Sequence, residues 1–191
     1  TLFNKTPKVI DHYTWFICSD GDVMEGVSHE AASFAGHLKL GKLIGFYDDN
    51  NITIEGDTAL TFTDNTAKRF EAYGWHVEHV ADVNDIPALD AAIERAKAVT
   101  DKPSLIIVKT HIGFGSPNKQ DTAEAHGSPL GAEEITLTKK ALGVPSNEPF
   151  YVAPEALTNW RRMRELGAAY QAGWEKEYLT YKNTYGDLAE E

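Results

Sequence analysis

Residues 13–22 read Tyr-Thr-Trp-Phe-Ile-Cys-Ser-Asp-Gly-Asp, and residues 43–51 read Leu-Ile-Gly-Phe-Tyr-Asp-Asp-Asn-Asn. Each is a short apolar run that breaks off in a polar cluster. A continuous apolar run of this length is expected for a strand buried on both faces, as in a parallel sheet. Two such strands, each ending in carboxylates and amides, place those groups at the carboxyl edge of the sheet. Open α/β sheets bind ligands at that edge.

Working outward, the same pattern repeats. Residues 25–38 read as a helix, with Ala31, Ala32, Phe34, Ala35 and Leu38 turned toward the sheet, and Gly41 closes the unit. Thr63-Asp64 is a helix start, with Ala67, Phe70 and Tyr73 at helical spacing and Gly74 as the stop. Trp75 to Val80 is a strand. Asp85-Ile86-Pro87 opens a third helix, with proline where a first turn tolerates it, and Leu89, Ile93, Ala96 and Val99 form its apolar stripe. Ser104 to Lys109 is a further buried strand. Strand and helix alternating in this way imply a three-layer α/β/α fold around a mainly parallel sheet.

After residue 110 the character changes. Residues 111–131 hold four glycines and two prolines and form a long irregular loop, a kind of loop that is commonly functional. Glu133 to Leu142 reads as a helix, and 155–181 as one long polar helix or two. The aromatics Trp160, Tyr170, Trp174, Tyr178 and Tyr181 suggest that this helix packs on something. The expected division is residues 1–143 as the α/β domain and 144–191 as a linker and helical extension.

Composition narrows the function. An apolar content of 42% with 25% charged residues is that of a soluble globular protein. The net charge of −11 argues against nucleic acid and against an anionic membrane, both of which require a basic face. No apolar run approaches the roughly 18 residues needed to span a bilayer, and there is no signal-peptide pattern. The single Cys18 excludes an internal disulfide framework, fits a reducing, cytoplasmic setting, and reads as core. The first residue is Thr1, as in a truncated chain, a processed one, or part of a larger protein.

Thirty residues separate Asp20 and Asn50. Taken singly, each cluster is what an ordinary turn contains. On adjacent strands, the alternative is a metal–phosphate site. Mg²⁺ prefers carboxylate, amide and carbonyl oxygens together with phosphate oxygens. Asp20 and Asn50 supply two of these, and a carbonyl just beyond Asn50 a third. Gly21 permits close approach of a phosphate to the backbone, and the helix near Glu25 directs amides at the same space. His126, in the glycine-rich loop, could bond a phosphate oxygen or be merely solvated. The remaining histidines lack zinc-site spacing.

Residues 19–31 (Ser-Asp-Gly-Asp-Val-Met-Glu-Gly-Val-Ser-His-Glu-Ala), 35–44 and 47–56 resemble the transketolase family. So do Arg69 to Trp75, Lys109 to Asn118 and His126 to Gly131, and the two clusters match the Gly-Asp-Gly…Asn motif of thiamine diphosphate enzymes. Pyruvate dehydrogenase E1 components and deoxyxylulose phosphate synthases share that short motif but not Met-Glu-Gly-Val-Ser-His-Glu-Ala. The resemblance implies thiamine diphosphate and Mg²⁺ (or Ca²⁺ or Mn²⁺) as cofactors. It implies Asp20, the Asn50 side chain and the Ile52 carbonyl as metal ligands, and the Gly21 amide on the diphosphate. His126 would contact the diphosphate and face substrate, Ile54 and Ile112 would pack near the thiazolium ring, and Glu25 would join a proton-linked network reaching the partner subunit. Ser19 stands where the motif has its first glycine, a minor departure because Gly21 makes the close approach.

By the same resemblance the whole enzyme is a cytoplasmic homodimer of the pentose phosphate pathway. It moves a two-carbon ketol unit between sugar phosphates. The family's earlier substrate-histidine segment, its pyrimidine-binding domain and its C-terminal domain do not fit within 191 residues. A catalytically inactive truncated module and one subunit of a split transketolase are therefore the rival readings. A relative that uses formaldehyde as acceptor is a third.

Overall fold

The computed structural model describes residues 2–191. It divides into two compact units: Tyr13–Pro145, and Ser146–Glu191 together with the segment up to His12.

The larger unit begins with β1 (Thr14–Ser19), α1 (Asp20–Met24), α2 (Gly26–His37) and β2 (Leu43–Asp49). A two-residue antiparallel ribbon, β3 (Ile52–Thr53) and β4 (Gly56–Asp57), then leads through a 3-10 turn to α3 (Thr66–Ala72). After it come β5 (His76–Val80), α4 (Ile86–Ala98) and β6 (Ser104–Lys109), then α5 (Glu124–Gly127) and α6 (Ala132–Ala141). The main sheet has the order β1-β2-β6-β5, and every pair in it is parallel. The register sets Ser19 beside Asp48 and Asp49 beside Lys109. The three polar strand ends therefore lie side by side.

Strand alternation divides the core between two faces. Leu105 and Ile107 join Val23, Ala32, Ala35, Tyr47, Phe70 and Trp75 on the face covered by α2 and α3. Ile106 and Val108 join Ile44, Val80, Ala92 and Ala96 on the face covered by α4. The α/β/α layering expected from the sequence is thus present, with β6 buried on both sides.

Three helix starts are set locally. The α3 helix starts at Thr66 rather than at Thr63-Asp64, because the Asn65 side-chain oxygen accepts the Lys68 N–H at 2.9 Å and caps it there. The α4 helix starts as expected, with Asp85 accepting from the Ala88 N–H at 3.0 Å. The helix expected over 25–38 is α2, which starts at Gly26 because Glu25, in an extended conformation, parts it from the short α1.

The expectation that residues 14–18 are buried on both faces does not hold. Ile17 is 78% exposed and Trp15 43% exposed. The cause is position, since β1 is an edge strand. Its Phe16 and Cys18 pack on the α2 side, while α4 covers the inner strands rather than β1. Cys18 is accordingly half-buried, and burial still pushes its thiol up to about 12.

The smaller unit is dominated by α7 (Pro154–Thr184), followed by α8 (Gly186–Glu190). Tyr181 is buried, Trp174 stacks on Tyr178 at 5.0 Å, and the Trp174 indole donates to the Val9 carbonyl at 2.9 Å. Trp160 and Tyr170 are exposed. Among the described residues no helix is long and apolar enough to cross a membrane.

One close approach fixes how α2 meets the chain after α3. A Cβ at Gly36 would lie 1.8 Å from the Tyr73 carbonyl oxygen, inside any contact distance. Glycine to alanine in a helix ordinarily stabilises by about 1 kcal/mol. At this position the backbone must move, so Gly36→Ala should destabilise by about 1–3 kcal/mol. A urea midpoint equal to or above that of the unaltered chain would contradict this packing.

Candidate functional site

The loops after β1, β2 and β6 meet at the carboxyl edge of the sheet. They are tied together by side chains. The Thr110 hydroxyl donates to Asp48, and the Lys109 ammonium donates to the Asn51 carbonyl oxygen. Asn51 has φ +62°, a left-handed conformation that asparagine adopts more readily than most residues. Its own carbonyl accepts the Thr58 N–H at 3.0 Å. At the end of β1, the Asp22 carboxylate accepts from the Ser19 N–H at 2.8 Å and the Ser19 hydroxyl at 3.0 Å. Asp22 is thereby committed to the turn.

Asp20 is only 2% exposed. Its Oδ1 accepts a hydrogen bond from the Tyr47 hydroxyl, and Asn51 lines the same depression as Asp20. Its Oδ2 is buried with no hydrogen-bond partner. Desolvation raises the acid's pKa above the ordinary range, against the pull of the Tyr47 hydrogen bond. Burial, followed by the hydrogen bond to Asp20, raises the Tyr47 phenol in turn, so Tyr47 is a neutral donor at physiological pH. A stranded carboxylate oxygen in a dry setting is costly unless something cationic meets it.

Asn50, Ile112 and His126 line one cavity of about 640 Å³ together with Ser19, Asp48, Thr110 and His111. Asp20 lines a neighbouring polar depression of about 270 Å³ with Asn51, Asp49 and Thr66, and Tyr47 borders both. A Cβ built on Gly21 would meet nothing within 4 Å, so no packing inside this chain demands glycine there. Ile52 is half-buried at the start of β3. Ile54 is 69% exposed on the β3–β4 turn, and Glu25 is exposed at the α1–α2 junction; neither borders the cavity. The structure thus brings Asn50, Ile112 and His126 to one cavity and Asp20 to the neighbouring depression across Tyr47, and Gly21, Glu25, Ile52 and Ile54 line neither.

The donor set can be tested against a divalent cation. Among the described residues no three His, Cys, Asp or Glu side chains cluster as a metal cage. A cation would rest on one carboxylate, an amide oxygen, a backbone carbonyl and oxygens of its ligand, which is the usual Mg²⁺ arrangement. The unpartnered Asp20 Oδ2 fits that role. The Asn50 Oδ1 accepts the Ile52 N–H at 2.9 Å, which leaves one lone pair and orients the amide.

His126 sits on α5, in a loop whose conformation is fixed from outside. The buried Glu134 of α6 accepts from the Ser116 hydroxyl, from the Asn118 N–H at 2.9 Å and from the Asn118 amide at 2.8 Å. His111 is held through Nδ1 by Asp121 at 2.9 Å. The sequence does not single out Tyr47 or Glu134. Tyr47 reads as one more strand residue, and Glu134 as a first-turn acid of a helix.

The arrangement is a parallel α/β domain with a buried carboxylate, an amide and a histidine gathered at the carboxyl edge of its sheet. The chain matches, over residues 2–191, the model of the transketolase thiamine diphosphate-binding domain. It is 55% identical over 191 residues to the transketolase of Nostoc sp., covering 99% of this chain and 28% of that protein. It is 51% identical to transketolase 2 of Escherichia coli, covering 96% of this chain and 27% of that protein. Among solved structures, Leishmania mexicana transketolase superposes with a TM-score of 0.92 at 38% identity, over 98% of this chain and 28% of that one. A Pichia stipitis transketolase in complex with sedoheptulose-7-phosphate gives 0.89 at 42%, over 95% of this chain and 27% of that one. The chain belongs to the transketolase family and carries its thiamine diphosphate-binding domain. It spans just over a quarter of the length of the relatives it matches.

The loop anchor has a pH signature. Hydrogen bonds from Asn118 and Ser116 hold the Glu134 carboxyl below its ordinary value of 4.5. A depressed acid stabilises the fold above its unfolded-state pKa, and that contribution is lost as pH falls through the folded-state value. Glu134→Gln should therefore lower the urea midpoint at about pH 7, with the difference from the unaltered chain shrinking toward roughly pH 3. A deficit that is the same at both ends would show that the charge of Glu134 does not hold the loop.

Proposed function

We propose that this chain forms the diphosphate- and metal-binding part of a transketolase active site, in an enzyme that moves a two-carbon ketol unit between sugar phosphates. The observation that carries this reading is the buried, unpartnered Asp20 Oδ2 beside a cavity bordered by Asn50, Ile112 and His126. Family membership supports the cofactor class. The sugar phosphate in the Pichia stipitis complex supports the substrate class.

In this reading Asp20, the Asn50 amide oxygen and the Ile52 carbonyl hold Mg²⁺, with Ca²⁺ or Mn²⁺ as substitutes. The Gly21 N–H and the His126 ring bind diphosphate oxygens. Ile112 and Ile54 exclude water around the thiazolium ring, Ile54 once the neighbouring domain covers its exposed side. Bound thiamine diphosphate supplies the nucleophilic carbon that accepts and passes on the ketol unit. Glu25 lies away from the cavity, and its exposed carboxylate suits a proton-linked contact with the partner subunit. A pyrimidine-binding domain, in the rest of a longer polypeptide or in a separate subunit, covers the other half of the cofactor. The enzyme works as a homodimer in the cytoplasm, in the pentose phosphate pathway.

Two experiments test this. In the assembled enzyme, Asp20→Ala and Asn50→Ala should each abolish Mg²⁺-dependent retention of thiamine diphosphate in calorimetric titration, since the site has few protein ligands. Normal affinity in either variant would refute the ligand assignment. The chain by itself, given thiamine diphosphate and Mg²⁺, should fold but show no ketol transfer. A pyrimidine-binding domain added in trans should restore activity if the two parts are natural separate subunits. Robust turnover by the chain alone would mean that the catalytic machinery has been misplaced.

A further inference from the structure

Tyr47 lies on β2, three residues before Asn50, and is 3% exposed. Its ring belongs to the core face shared by Phe70, Trp75 and Leu105. Only its hydroxyl leaves that face, and it donates to Asp20 Oδ1. Thr66, buried in the first turn of α3, lines the same depression as Tyr47 and Asp20. The result is a buried link from β2 to the start of α1, with α3 beside it. One carboxylate oxygen of Asp20 is held by this link and the other is left without a partner.

We propose that Tyr47 is a positioning residue for the divalent cation, fixing the Asp20 carboxylate through Oδ1 so that Oδ2 is presented to the metal. The inference rests on the reading that Asp20 is a metal ligand. A neutral donor suits this role. It removes the rotational freedom of the carboxylate and satisfies one oxygen, yet leaves the full negative charge for the cation. A lysine or arginine in its place would neutralise the carboxylate and compete with the metal. The Lys109 ammonium at this edge goes to Asn51 instead. Partners that orient a metal ligand in this way typically change metal affinity by about 10–100-fold when removed.

The test is calorimetric titration of Mg²⁺ into the assembled enzyme at saturating thiamine diphosphate, with near-ultraviolet circular dichroism to confirm native packing. Tyr47→Phe keeps the ring and removes only the donor. The Mg²⁺ Kd should rise by about 10–100-fold. Thiamine diphosphate affinity should return to that of the unaltered enzyme once Mg²⁺ saturates. A merely structural role would not be rescued by metal. Thr66→Val, which removes the hydroxyl beside Tyr47 and Asp20 in the same depression, should weaken Mg²⁺ in the same direction by a smaller factor, and it carries the test if Tyr47→Phe does not fold. An unchanged Mg²⁺ Kd in a folded Tyr47→Phe or, failing that, Thr66→Val enzyme overturns the inference. Asp20→Ala separates the two levels: if it too leaves Mg²⁺ binding intact, the metal-ligand reading itself has failed.

Discussion

A carboxylate taken out of water and given hydrogen bonds to only one of its oxygens is the constraint on which the rest of this domain depends. Asp20 occupies that position at the first residue after β1. Burying an ion costs several kcal/mol unless compensating partners are built around it. Tyr47 from β2 provides such a partner with its hydroxyl, and Asn51 from the loop beyond it and Thr66 from α3 line the same depression. The parallel register makes this possible, because β1 and β2 end level with each other.

The two-faced core serves the same end. Tyr47 can reach Asp20 only because its ring is locked among Phe70, Trp75 and Leu105, and α3 can offer Thr66 only because Asn65 caps the helix at that point. On the other side of the edge, Lys109 and Thr110 tie β6 to the β2 loop, and Glu134 fixes the segment that carries His126. Asp20 and Asn50 thus sit directly after rigid strands, while a pinned loop carries His126.

Much of this was legible in the residues. Ser104 to Lys109 reads as a buried strand and is one to the residue, because a run of four apolar side chains buried on both faces suits a central parallel strand. The polar clusters at 19–22 and 48–51 stand out because each interrupts such a run. The exposure of β1 could not be read, since Trp-Phe-Ile-Cys looks the same in an edge strand as in a central one. Strand order comes from tertiary pairing, not from composition. Tyr47 and Glu134 escaped for a related reason: their partners lie 27 and 16 to 18 residues away in sequence. The β3–β4 ribbon, two residues per strand, is too short to leave a periodic signal.

The central claim is that Asp20 Oδ2 waits for a divalent cation. A crystal structure of the assembled enzyme with thiamine diphosphate and Mn²⁺, measured at a wavelength where manganese scatters anomalously, tests it directly. The expected result is an anomalous peak about 2.1–2.3 Å from Asp20 Oδ2, as for a hard cation on carboxylate oxygen, with Tyr47 still bonded to Oδ1 and the Asn50 amide oxygen and Ile52 carbonyl in the same coordination shell. A manganese peak elsewhere on the diphosphate, with Asp20 Oδ2 still buried and uncoordinated, would contradict the account.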